Sequence, residues 1–193
     1  MAEAMSRIVR GLPSLLVGLL AFPPSLFAHR LDEYLQATIA VIEPTGIRLQ
    51  VNLVPGVAVA EQILASLDHD GDGVISTNEA TAYAELLKHD LTAQLDQANL
   101  DLKLTASVFP EPSDLRDGIG IIQLEFTAVA GPLTPGAHRY SLKNRHLPHV
   151  SVYLVNAAKP QSGSIQITRQ KRNQNQSVSE IEFTVDPPVN ASR

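Results

Sequence analysis

Apolar side chains recur at every second position near the start of the chain. Leu35 to Ile42 reads as one strand, and Ile47, Leu49, Val51 and Leu53 alternate with Arg48, Gln50 and Asn52 as a second, half-buried one. Glu43-Pro44-Thr45-Gly46 has the right turn chemistry to join them. The period then lengthens to 3.6. Ala58 to Leu67 is apolar at helical spacing, and Ala82, Tyr83, Leu86, Leu87, Leu91 and Leu95 continue that spacing in a second helix. Beyond them the period of two returns at Leu100, Leu102 and Leu104, at Ile122, Leu124 and Phe126, at Ile165 and Ile167, and at Ile181, Phe183 and Val185. A short strand is expected at His138 to Leu142, and Val150 to Val155, apolar on both faces, suits a central strand. About eight strands, punctuated by turns such as Gly131-Pro132 and Pro135-Gly136, predict a mainly β chain: an antiparallel β-sandwich. The helical segment, at about 57–97, is then an insertion between the second and third strands.

The link between the two helices carries the most specific chemistry. Asp68-His69-Asp70-Gly71-Asp72-Gly73-Val74-Ile75-Ser76-Thr77-Asn78-Glu79 fits the spacing D-x-[DN]-x-[DN]-G-x5-E at every demanded position. A hard cation takes six to eight oxygens at about 2.3–2.6 Å, and this spacing supplies them from one short turn. Asp68, Asp70 and Asp72 offer carboxylates, Val74 its backbone carbonyl, Ser76 a hydroxyl or a water, and Glu79 a bidentate carboxylate. Gly73 stands where the chain turns sharply. Ser76 with Glu79 three residues on is a capping box that starts the second helix within the loop.

The segment resembles an EF-hand, which implies Ca2+ as the bound ion. Ala80 departs from that pattern, because a larger apolar residue usually follows the last ligand. EF-hands normally occur in pairs. Asp114 to Glu125 matches at an Asp, an Ile and a Glu but has Arg116 and Ile119 at ligand and glycine positions, and it fits a strand better. The hand is therefore expected to be single, and Ile75 to pack on the domain itself or on a second copy.

The amino-terminal residues change the picture of where this happens. Arg7 and Arg10 precede a leucine-rich stretch, Leu12 to Phe27, that leads to Ala28 and His29 in the order of a secretory signal peptide. Residues 1–28 are read as that peptide and 29–193 as the mature domain, periplasmic or secreted. The apolar run, broken by Pro13, Pro23 and Pro24, is too short for the roughly 20-residue membrane helix, and no later segment is expected to span a bilayer. Loss of Arg7, Arg10 and Glu3 takes the formal charge from −5 to −6, so nucleic acid is not an expected partner. With no cysteine there is no disulfide and no thiolate chemistry. No nucleophile elbow, H-E-x-x-H or phosphate-binding glycine loop is present, and no enzymatic activity is expected.

Two further phrases, His29-Arg30-Leu31-Asp32-Glu33-Tyr34-Leu35-Gln36-Ala37-Thr38 and Asn144-Arg145-His146 before Tyr153-Leu154-Val155-Asn156-Ala157, resemble a set of exported bacterial proteins. These are similar to the extracytoplasmic head of some nickel/cobalt-type membrane transporters, which can carry a calcium-loop insertion. The resemblance implies a protein partner at the cell envelope and implies nothing about transport. His29 as a mature amino terminus, together with His138, His146 or His149, would suit copper or nickel. This makes a transition-metal binding or delivery protein the first alternative to a non-catalytic calcium-binding protein. A solvated His146-Leu147-Pro148-His149 turn is the plainer reading of two of those residues. A calcium-dependent adhesion or carbohydrate-binding module is the second alternative, weakened by 5% aromatic content and the lack of tryptophan.

Overall fold

A computed structural model describes residues 32–188. The expected signal peptide, its cleavage site and His29 lie outside the described residues. Strands β1 (Tyr34–Glu43) and β2 (Gly46–Pro55) are followed by helices α1 (Val57–Leu67) and α2 (Thr77–Asp90). Strands β3 (Leu91–Leu95), β4 (Ala98–Asn99) and β5 (Lys103–Val108), a short helix α3 (Pro112–Arg116), and strands β6 (Ile122–Val129) and β7 (Gly136–Asn144) come next. The chain closes with β8 (Ser151–Ala157), β9 (Ile165–Arg172) and β10 (Val178–Val185). Two five-stranded sheets result, in the orders β5-β6-β2-β1-β8 and β4-β3-β7-β10-β9. The mainly β, sandwich-like fold with a helical hairpin after the second strand is as the alternation predicts.

One face of each sheet is apolar because period-two sequences place alternate side chains together. Leu49, Val51 and Leu53 of β2 and Leu124 and Phe126 of β6 join Tyr140 and Leu142 of β7 and Ile181 and Phe183 of β10 in one core. The hairpin belongs to the same core. Ile63, Leu64 and Leu67 of α1 and Tyr83, Ala84 and Leu87 of α2 are buried in it. Ile75 packs against this cluster too, so the loop residue that a second hand would cover is covered by the domain.

Three expectations need correction. The second helix does not reach Leu95. It stops at Asp90, and Leu91, Ala93 and Leu95 are buried alternately in β3, paired in register with Asn144, Leu142 and Tyr140 of β7. Leu87, Leu91 and Leu95 satisfy both periods, and the ladder with β7 decides between them. The strand expected at Leu100 to Leu104 begins only at Lys103, in β5: Asp96 and Gln97 (φ 49° and 72°) form a two-residue hairpin turn that closes β3 onto β4, and Leu100 to Leu102 link β4 to β5 outside any strand.

The third concerns β8, which is an edge strand rather than a central one and runs parallel to β1. Its exposed edge is covered by side chains of β9. Arg172 Nε donates to the Val155 carbonyl at 2.5 Å, and the Ala157 N–H donates to Gln170 Oε1 at 3.1 Å. These bonds satisfy strand groups that would otherwise invite another chain.

Candidate functional site

The loop between α1 and α2 is built by its own polar groups. Asp68 ends α1, its N–H donating to Leu64 O. Ser76 caps α2: its hydroxyl accepts from the Glu79 N–H at 3.3 Å while the Ser76 N–H donates to Glu79 Oε2 at 2.9 Å. Between these caps Gly71 and Gly73 have φ of 72° and 81°. No neighbour lies within 4 Å of where either Cβ would be, so backbone conformation rather than space requires glycine there.

Asp68 turns its two oxygens inward, accepting from the Gly73 N–H at 2.9 Å and the Asp72 N–H at 3.1 Å. Glu79 reaches back across the loop to accept from the His69 N–H at 2.7 Å. These bonds bring oxygens of Asp68, Asp70 and Glu79 within 4.8 Å of one another, the one such group of histidines and acidic residues among the described residues. Asp72 stands outside it, its Oδ1 accepting from the Val74 N–H at 2.8 Å. The Ser76 hydroxyl is engaged with Glu79, and the Val74 side chain is 58% exposed, which leaves its expected role to the backbone carbonyl. The Glu79 carboxyl is pulled down to about 2 by the Ser76 hydroxyl first and then by the Ser76 N–H, with lesser help from the His69 and Asp70 N–H groups against slight desolvation. It is a formed anion at any pH near neutral.

Asp114 to Glu125 contributes no second loop; it holds α3 and the start of β6.

Among the described residues no histidine joins a group that could hold a metal ion. His138, in β7, places Nδ1 at 2.6 Å from Asp96 Oδ2 and Nε2 at 2.7 Å from the Thr134 carbonyl. Both partners only accept, so both ring nitrogens donate and the ring is an imidazolium with no lone pair for a metal. Desolvation opposes this charge, but the Thr134 carbonyl and the Asp96 carboxylate outweigh it and raise the His138 pKa. The folded protein therefore holds the proton more tightly than the unfolded chain. Its stabilising effect is complete below the ordinary value of 6.5 and is lost as pH rises through the elevated folded value. Urea unfolding of wild type should lose stability relative to His138→Gln as pH rises above 6.5. Parallel profiles for the two proteins would show that the clasp carries no charge.

Sequence reasoning placed His146 in a solvated turn. It is fully buried, 0% exposed, while His149 is exposed. Its Nδ1 donates to Asp90 Oδ2 at 2.8 Å, at the end of α2, so its Nε2 accepts from the Tyr83 hydroxyl at 3.1 Å. The Tyr34 hydroxyl then donates to Tyr83 at 2.7 Å. The His146 carbonyl accepts from Gln36, Ser151 and Tyr153, and its N–H donates to Asn144. This network fastens α2 to β1, β7 and β8. No local spacing announces it: Asp90 and His146 are 56 residues apart, and Gln36 and His146 110. The alternation of β1 points away from it: Leu35, Ala37 and Ile39 make the more apolar face, yet Tyr34, Gln36 and Thr38 are the residues buried.

No family model, curated protein or solved structure matches the chain, so the loop geometry and the residues that seat it are what a functional reading rests on.

Proposed function

We propose that the chain is an exported, non-catalytic calcium-binding protein whose single loop holds one Ca2+ through Asp68, Asp70, Asp72, the Val74 carbonyl, Ser76 and Glu79. The observation that carries this reading is the convergence of Asp68, Asp70 and Glu79 inside a loop whose spacing is that of a calcium cage. Three clustered carboxylates repel one another without a cation, and in this loop the repulsion is held by backbone N–H donors that a folded turn already supplies. Asp72 and Ser76 join the set by a side-chain rotation, which an ion would favour.

A structural role fits better than a sensor role. The apolar faces of α1 and α2 are already buried in the sandwich core, so no covered groove waits between them to be opened. Stabilisation of the loop, and through it of a surface for a protein partner at the cell envelope, is the consequence we assign to the ion.

Calorimetric titration of calcium into metal-free protein beginning at His29 tests this, with melting temperature followed alongside. One calcium per chain is expected, with a dissociation constant of about 10⁻⁴–10⁻³ M, the range of extracellular modules. At a hundredfold excess over that constant, mass action adds about 2.7 kcal/mol to folding stability. Absence of heat and of any melting shift at millimolar calcium would reduce the loop to a turn.

A further inference from the structure

The chain of hydrogen bonds through His146 runs in one direction. Tyr34 donates to Tyr83, Tyr83 to Nε2, and Nδ1–H to Asp90. Each step is forced by the one before it, because the carboxylate accepts only and the neutral ring has one lone pair. A proton added at Nε2 reverses the sequence. His146 would then donate to Tyr83, which could no longer donate to Nε2, and one of the two buried tyrosine hydroxyls would be left with a proton and no acceptor. A buried donor without a partner costs free energy that an exposed one does not.

The groups facing the ring are Asp90 and Tyr83 from α2 and Tyr34 from β1. Tyr153 of β8 meets only its carbonyl, and the Arg145 side chain is exposed. Asp90 alone among these favours the imidazolium, and complete burial of the ring opposes it. The balance falls on the neutral side: burial first, against Asp90, lowers the His146 pKa.

The position of Tyr83 links this chain to the loop. Tyr83 lies four residues after Glu79 on α2, one turn along the same face. Asp90 closes the same helix, so the network that seats α2 also sets where Glu79 stands relative to Asp68 and Asp70. We propose that protonation of His146 loosens the seat of α2 on the sandwich and so weakens calcium binding, making the loop a pH-gated site. The gate rests on the calcium reading above.

His146→Gln supplies the test. A glutamine can donate to Asp90 and accept from Tyr83 as the neutral ring does, but it cannot titrate. Calcium affinity of wild type should fall about fivefold more than that of the variant as pH is lowered through the ring's own titration, followed by its proton resonances, a coupling at the low end for linked sites. His69, in the loop, is present in both proteins and cancels from the difference. Equal pH slopes in the two proteins overturn the gate and leave the calcium site standing. Failure of wild type to bind calcium at any pH overturns the site itself. A second measurement needs no variant: reciprocity requires calcium saturation to weaken proton binding at His146 by the same fivefold factor, read from the ring's proton resonances. An unchanged titration midpoint would equally sink the proposal.

Discussion

Replacing Glu79 by glutamine should abolish measurable calcium binding while the metal-free protein folds and melts nearly as before. The two halves of this expectation come from the two roles of the side chain. As the third residue of α2, Glu79 completes the capping box with Ser76, and glutamine serves that role as well. As the far wall of the loop it holds a full negative charge, kept by the Ser76 hydroxyl and surrounding N–H groups, within 4.8 Å of Asp68 and Asp70 oxygens. Glutamine offers a single neutral oxygen in place of a bidentate carboxylate. Affinity in such loops is set by ligand charge and rigidity, and the loss expected is on the order of a hundredfold, enough to carry a millimolar site out of reach. Calorimetry and calcium-dependent melting would read it. A variant that binds as wild type does would mean that the ion, if bound, sits elsewhere. A variant that unfolds without calcium present would mean that the cap, not the cage, is what Glu79 is for.

The loop was legible because its proposed ligands all lie within one short stretch. Twelve residues contain the proposed ligands, the glycine and the helix cap, so Asp68, Asp70 and Glu79 can be read together from one local stretch. Even so, the spacing does not show which carboxylates meet in the folded loop, and Asp72 bonding to the Val74 N–H is a matter of side-chain rotation. The sandwich was legible where one face of a strand is polar, as in β2 and β6. It was misread where the pattern carries no lateral information. Val152 and Leu154 make β8 apolar on both sides, yet Leu154 is 38% exposed at a sheet edge, and only Arg172 and Gln170 of β9 explain why that edge is tolerated. The end of α2 was misread for a different reason. Leu87, Leu91 and Leu95 are spaced for a helix, and the pairing of 91–95 with 140–144 is a long-range fact. The seat around His146 was invisible for the same cause, being assembled from β1, α2, β7, β8 and the turn before β8. Histidine counting alone suggested a metal ligand. The structure commits both nitrogens of His138 and both of His146 to hydrogen bonds instead.

The sandwich core, rather than the loop, sets the largest stability effect available to one substitution. Phe126 is 0% exposed on β6, directly across the ladder from Leu49 of β2 and Leu104 of β5, with the rest of the core cluster above it. Its ring is held from both sides within its own sheet and from the facing one, so the surroundings cannot collapse into the space it leaves. Phe126→Ala should therefore cost the cavity as well as the transfer term, about 3–5 kcal/mol. In a domain of this size about 1 kcal/mol moves the melting temperature by roughly 2–4 °C, so a fall of about 10 °C is expected in metal-free protein. Val129, at the other end of the same strand, is 83% exposed, and Val129→Thr should leave the melting temperature within the scatter of surface changes. Calcium should stabilise the Phe126→Ala protein by the same increment as wild type, because the loop and β6 share no hydrogen bond and distant sites add. A calcium increment that vanished in the variant would show that the loop is set by the core as a whole, and not chiefly by the seat of α2.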